Sequence, residues 1–144
     1  MSRALKILLL CRQNAARSQM MAAYLKTLLP RCTIQSAGSQ PAQQVDPLAV
    51  KVMAEEGIDI SNEVPKSVVL FQQDTFDYVI TVCKETEEYG TCPLFFGTTK
   101  ERLNLEIEDP AQAHGSEQDR LTRYRSIRDT IKAFAIDFAH KISF

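Results

Sequence analysis

The sequence predicts an α/β domain in which a parallel sheet is covered by helices on both faces, and three observations carry that prediction. Residues 4–11 (ALKILLLC) form a nearly continuous apolar run, as expected of a strand buried on both sides. The apolar residues that follow recur at helical rather than alternating spacing. Short strand-like runs then return further on, and strands that alternate with helices imply right-handed βαβ units.

The elements follow in order. After the first strand and a polar loop, Met21, Tyr24, Leu25 and Leu28 share one helical face, and Pro30 ends that helix. Residues 32–37 read as a second strand, closed by Gly38. Asp46-Pro47 then supplies an N-cap and a first-turn proline; Leu48, Ala49, Val52 and Met53 lie on one face, and Gly57 is the stop. A short helix is expected at 65–71. Residues 77–82 (DYVITV) are a third strand, rich in β-branched and aromatic side chains. A shorter strand is expected at 103–107, just before Asp109-Pro110. The last helix runs from Ser116 to about His140, with Leu121, Tyr124, Ile127, Ile131, Phe134 and Phe138 at three- and four-residue spacing. It opens on Ser116-x-x-Asp119, an acidic variant of the capping box.

Bulk properties narrow the function classes. The 144 residues suffice for one domain, spanning 1–144, and are too few for two. A net charge of −1 gives no nucleic-acid or membrane surface. The first apolar run is too short to span a bilayer and lacks a small-residue cleavage site, so a cytoplasmic setting is expected. There, Cys11, Cys32, Cys83 and Cys92 are expected as buried, catalytic or redox-active thiols rather than structural disulfides. With only His114 and His140, and with Cys83 and Cys92 nine positions apart, no metal site is expected. Nothing demands more than a monomer.

Ligands of parallel α/β sheets bind beyond the carboxyl ends of the strands. Cys11, Cys83 and Asp109 all lie at or just past such ends, on one rim. The first of them opens Cys11-Arg12-Gln13-Asn14-Ala15-Ala16-Arg17-Ser18, a C-x₅-R-S loop between strand and helix. Such a loop can curl its N–H groups around a tetrahedral anion at a helix N-terminus, while Arg17 offers a planar fork to two oxygens. The same field favours the thiolate of Cys11, the nucleophilic form. With nine arginines in the chain, the bare spacing arises by chance about one time in sixteen, so its weight comes from its place between strand and helix. Asp109 is a candidate acid for the leaving oxygen, with Glu106 and Glu108 as rivals and a plain Asp-Pro turn as the alternative.

Cys11 to Ser18, together with Asp109-Pro110, Ser36-Ala37-Gly38 and the Asp46-Pro47 helix, resembles the low-molecular-weight tyrosine phosphatase family over nearly the whole chain. The resemblance implies a three-layer sandwich with four parallel strands in the order 2-1-3-4. It implies Cys11 as nucleophile, Arg17 as oxyanion binder and Asp109 as general acid. Asn14 resembles the asparagine that shapes the anion loop, and Ser18 the serine that donates to the sulfur. Arg12 and Gln13 stand where relatives commonly carry a small or uncharged residue followed by glycine, which tolerates positive φ at lower cost.

Phosphatases of this family usually place aromatic residues after the Asp-Pro. This chain continues Ala111-Gln112-Ala113 instead, and there it resembles the family's arsenate reductases, which add two cysteines after the third strand. Cys83 and Cys92 match them. The reading is therefore reduction of arsenate to arsenite by relay from Cys11 to Cys83 to Cys92, with thioredoxin as electron donor and no tightly bound cofactor. A monovalent cation beside Asn14 is left open. Residues 84–91 (KETEEYGT) are hydrophilic, as expected of a segment that rearranges with redox state, and about two residues longer than in typical reductases. Cys32 reads as structural. The rivals are a phosphomonoesterase using only Cys11, Arg17 and Asp109, and a non-catalytic oxyanion-binding or redox module.

Overall fold

Each side chain of Ile7, Leu8, Leu9 and Leu10 is fully buried, because the strand that carries them runs through the middle of the molecule. In the computed structural model, which describes residues 4–84 and 92–143, that strand is β1 (Lys6–Cys11). It is followed by α1 (Arg17–Leu28), β2 (Thr33–Gly38), α2 (Pro47–Ala54), β3 (Thr75–Val82), β4 (Thr98–Leu105) and α3 (Glu117–Ile142). Two 3₁₀ helices, Val68–Phe71 and Pro110–Gln112, lie between them. The sheet has four strands in the order β2-β1-β3-β4, all parallel, as expected.

Alternation along β1 divides its leucines between two cores. Ile7 and Leu9 join Met20, Met21 and Leu25 of α1, Val52 and Met53 of α2, and Ile127 and Ile131 of α3. Leu8 and Leu10 face the other way, onto Val68, Phe76, Val79 and Phe95. Burying one such aliphatic side chain contributes roughly 1.5–3 kcal/mol, so this strand anchors both layers. The caps are those the sequence encodes. Asp46 Oδ1 accepts from the Leu48 N–H at 2.9 Å, and Ser116 and Asp119 exchange hydrogen bonds of 3.1 and 3.2 Å.

β2 is Thr33–Gly38 rather than 32–37, β3 begins at Thr75 rather than at residue 77, and three further boundaries differ from expectation. The first strand begins at Lys6 rather than at residue 4. The helix expected at 65–71 is a 3₁₀ helix over Val68–Phe71, with Ser67 accepting from the Val69 N–H. The last strand begins at Thr98, five residues before the expected 103, and ends at Leu105. Its first half, TTKER, is polar and lies on the sheet edge, so hydropathy does not mark it; pairing from Thr75↔Thr98 to Val82↔Leu105 creates it. Residues 85–91, most of the hydrophilic stretch expected to rearrange, lie outside the described residues. Among the described residues no helix is long and apolar enough to cross a membrane.

Candidate active site

β1 ends at Cys11 and α1 starts at Arg17, so the residues between them must turn the chain within a few ångströms of the sheet's carboxyl rim. The carbonyls of Arg12, Gln13 and Ala15 accept from the N–H groups of Gln40, Ala42 and Asp46 at 2.8–3.0 Å. In a trans peptide the following N–H points the opposite way, so the loop presents N–H groups on its other side, as an anion cradle requires. Ala16, the N-cap of α1, has no side-chain oxygen for the helix's first N–H groups, which leaves them for an anion.

Only one non-glycine residue among those described has positive φ, and it is Asn14 at 53° rather than Gln13. Gln13 therefore needs no glycine-like backbone, and the turn is made one residue later by a residue type that tolerates it. Asn14 is held by its own bonds. Its Oδ1 accepts from the Lys66 N–H at 2.9 Å and from Gln19 Nε2 at 3.2 Å, and its main-chain oxygen takes Gln19 Nε2 at 3.1 Å. Because a backbone N–H can only donate, this fixes the orientation of the amide and aims Nδ2 at Ser18 Oγ, 2.7 Å away. Ser18 Oγ lies 2.9 Å from Cys11 Sγ. When the sulfur is a thiolate, only Ser18 can donate across that contact. The chain Lys66–Asn14–Ser18–Cys11 thus brings a proton donor to the Cys11 sulfur.

Gly38 lets β2 lie against this loop. A Cβ at that position would come within 2.6 Å of the Arg12 oxygen, 2.8 Å of the Cys11 oxygen and 2.9 Å of the Asn14 nitrogen. On the opposite side, the Gly38 N–H donates to the Lys66 oxygen at 2.8 Å.

Cys11, Gln13, Ala15, Ala16, Arg17, Asp46, Asp109 and Ala111 line one small recess. Arg12 is not among them. Arg17 is 2% exposed; its Nη1 donates to the Ile107 oxygen at 3.2 Å, and its Nη2 lies 3.9 Å from Asp109 Oδ2. Asp109 caps the Pro110–Gln112 turn, its Oδ1 accepting from the Ala111 N–H at 3.0 Å. Glu108 turns outward to an ion pair with Arg123, whose guanidinium holds its carboxyl below the usual glutamate range. Of the rival acids, Asp109 is the one on the recess.

Asp46 is also on the recess, and sequence reasoning took it only for a helix cap. Its Oδ2 accepts from the Tyr124 hydroxyl at 2.5 Å, while its N–H holds the Ala15 oxygen. Burial, then the Asp46 hydrogen bond and charge, push the Tyr124 hydroxyl pKa well up, so it stays a donor. Tyr124 sits within an apolar helical stripe, which hid its polar role; the Asp46-Pro47 cap gave no hint of its second partner. Tyr124→Phe is expected to lower stability by about 1–3 kcal/mol, because the Asp46 carboxylate loses a buried donor. The check is a fall in the urea midpoint at constant slope. An unchanged midpoint would show that the bond contributes nothing net.

Cys83 follows β3 on the same rim, its N–H donating to the Leu105 oxygen at 3.2 Å. It is disulfide-bonded to Cys92, with a Cα–Cα distance of 6.2 Å, while Cys11 is not disulfide-bonded. Cys32 is outside both the recess and the disulfide. Among the described residues no group of three or more His, Cys, Asp or Glu side chains is placed to hold a metal ion.

A buried cysteine opening a strand-to-helix anion loop, with a buried guanidinium at the loop's end, defines the class of cysteine-nucleophile enzymes that act on tetrahedral oxyanions. The family model for low molecular weight phosphotyrosine protein phosphatase matches residues 6–143, and the chain belongs to that family. Within it, the chain is 34% identical to an arsenate reductase of Shouchella clausii over 92% of this chain and 94% of that one. It is 29% identical to a glutaredoxin arsenate reductase of Synechocystis sp., over 96% of this chain and 98% of that protein. A solved arsenate reductase in the phosphate binding state superposes with a TM-score of 0.79 at 29% identity, covering 99% of this chain and all of that one.

Proposed function

We propose that this protein reduces arsenate to arsenite, using Cys11 as nucleophile and Cys83 and Cys92 as the dithiol that supplies two electrons. The observation that carries the reading is the Cys83–Cys92 disulfide on the rim that also holds the anion loop. A phosphomonoesterase needs neither sulfur, whereas a reductase must dispose of an oxidised pair. The arsenate reductase relatives support the same reading.

The chemistry balances as follows. The Cys11 thiolate displaces one oxygen from arsenic(V), Asp109 protonates the departing oxygen, and an arseno-thiol adduct forms. Arg17 and the loop N–H groups bind the remaining oxygens and the charge that grows on them. The Cys83 thiolate then attacks the Cys11 sulfur. The sulfur–arsenic bond breaks with its electron pair staying on arsenic, arsenite leaves, and Cys11 and Cys83 are joined. The Cys92 thiolate attacks Cys83, releasing Cys11 as thiolate and leaving Cys83 linked to Cys92. A thiol Cys11 beside a bonded Cys83–Cys92 pair corresponds to the end of that cycle.

Regeneration requires an external dithiol. Thioredoxin is our reading; glutaredoxin is the second, favoured by the Synechocystis relative. A monovalent cation beside Asn14 is compatible with this reading, since the Asn14 main-chain oxygen accepts from Gln19 Nε2 and keeps a second lone pair. Hydrolysis of small aryl phosphates is a second activity of the same recess, supported by the family assignment.

The deciding experiment compares two variants in both reactions. Cys83→Ser and Cys92→Ser are expected to abolish multiple-turnover arsenate reduction while leaving aryl phosphate hydrolysis intact. Cys92→Ser should complete one turnover and stop with Cys11 joined to Cys83, visible by peptide mass mapping. Continued cycling by both variants would make phosphatase the primary reading. Asp109→Asn is expected to lower single-turnover formation of the adduct by about 10²–10⁴-fold with little change in substrate affinity. A loss of only a few-fold would assign the proton to solvent.

A further inference from the structure

Residues 93–96 leave Cys92 as a strut with alternating sides. Pro93 and Phe95 face inward, and the Phe95 ring meets Phe76 edge-on at 5.7 Å. Leu94 and Phe96 face outward and are 66% and 75% exposed. The strut is pinned from both ends. Gln72 clasps it, Nε2 donating to the Leu94 oxygen at 2.8 Å and Oε1 accepting from the Phe96 N–H at 2.5 Å. Arg102 Nη2 donates to the Phe95 oxygen at 3.0 Å. Gln72 also closes the Val68–Phe71 helix, whose Val69 and Leu70 are 73% and 67% exposed. Four of the seven large exposed apolar side chains among the described residues therefore lie on two segments that Gln72 joins, next to one disulfide.

We propose that Leu94 and Phe96, flanked by Val69 and Leu70, are the docking surface for a small dithiol protein that reduces the Cys83–Cys92 bond. The inference rests on the reductase reading and names the partner's landing site. The disulfide itself identifies the occupant. Cys83 is fully buried and Cys92 is partly exposed, so an incoming thiolate must attack the Cys92 sulfur. That attack forms a mixed disulfide with Cys92 and releases Cys83 as thiolate. The partner's second thiolate then attacks its own mixed-disulfide sulfur, releasing Cys92. Two electrons pass to this chain, the partner's dithiol becomes its disulfide, and its two protons pass to Cys83 and Cys92. While the mixed disulfide exists, the partner's surface is held within reach of the exposed side chains that follow Cys92. Those residues are apolar and already ordered, so contact with them loses little conformational entropy.

The test uses protein oxidised with diamide, so that it does not depend on arsenate. Reduction of the disulfide is followed with thioredoxin, its reductase and NADPH, and in parallel with dithiothreitol. Leu94→Ser combined with Phe96→Ser is expected to lower the second-order rate with thioredoxin about tenfold or more. The dithiothreitol rate should be unchanged, as should both rates in Val64→Ser, an exposed valine beside α2. A double variant reduced by thioredoxin at the wild-type rate overturns the proposal. So does an equal fall with both reductants, which would place the effect in the disulfide itself. So does a wild-type dimer that the double variant dissociates, since the surface would then serve a second copy. Wild-type protein reduced by dithiothreitol but by neither thioredoxin nor glutaredoxin also removes the docking site, while leaving the reductase reading standing. That reading fails separately, if arsenate never generates the Cys83–Cys92 bond from the fully reduced protein.

Discussion

Arg17→Lys is expected to lower arsenate turnover and aryl phosphate hydrolysis together, by about 10²–10³-fold, without unfolding the protein. The side chain is 2% exposed and spends one arm on the Ile107 oxygen, leaving the other toward Asp109 and the recess. A planar guanidinium can do both at once. An ammonium keeps the charge but carries no fork, so it must give up either the backbone anchor or the substrate oxygens. The measurement is kcat and KM in both assays, with a thermal melt to confirm the fold. Near wild-type turnover at saturating substrate would take Arg17 out of the transition state.

Gly38→Ala is expected to impair both reactions by displacing the loop that follows β1. The added carbon would meet three backbone atoms of the anion loop at 2.6–2.9 Å, and backbone cannot swing aside as a long side chain can. Overpacking of this kind costs about 1–3 kcal/mol. The larger effect is catalytic, since relief requires the loop to move, and a misplacement of about 1 Å at a reacting centre can cost 10²-fold. The expected result is a folded protein with a lowered melting temperature and at least that loss in both reactions. Unimpaired activity would mean that β2 yields instead of the loop.

How much of this was readable beforehand depended on how local the cause was. β1 announced itself because both its faces are buried from Ile7 onward, so hydrophobicity is unbroken from there to Cys11. The first half of β4 was silent, because polar TTKER becomes a strand only by pairing with β3. Cys11, Arg17 and Ser18 were legible as a spacing within eight residues, and the caps at Asp46 and Ser116 as short motifs. Tyr124 against Asp46 was not, because 78 residues separate them and each had a sufficient local explanation. Gly38 could be read as a strand terminator; its role as the only residue thin enough to pass the loop appears once β2 is set beside β1. Cys83 and Cys92 were legible as a pair, but the apolar strut beyond Cys92 was not, since an alternating in-and-out path has no marker in four residues.

The contacts that prime the Cys11 sulfur also determine when, during folding, it is primed. Asn14 depends on the Lys66 N–H, 52 residues away, and Arg17 on the Ile107 oxygen, 90 residues away. Contacts of such separation form late, because closing long loops is entropically costly until the intervening elements are in place. A nascent or partly unfolded chain therefore carries an unassisted thiol with no anion cradle around it. On the proposed role of Cys11, its activation therefore waits on the segments that carry Lys66 and Ile107 and not on β1 and α1 alone.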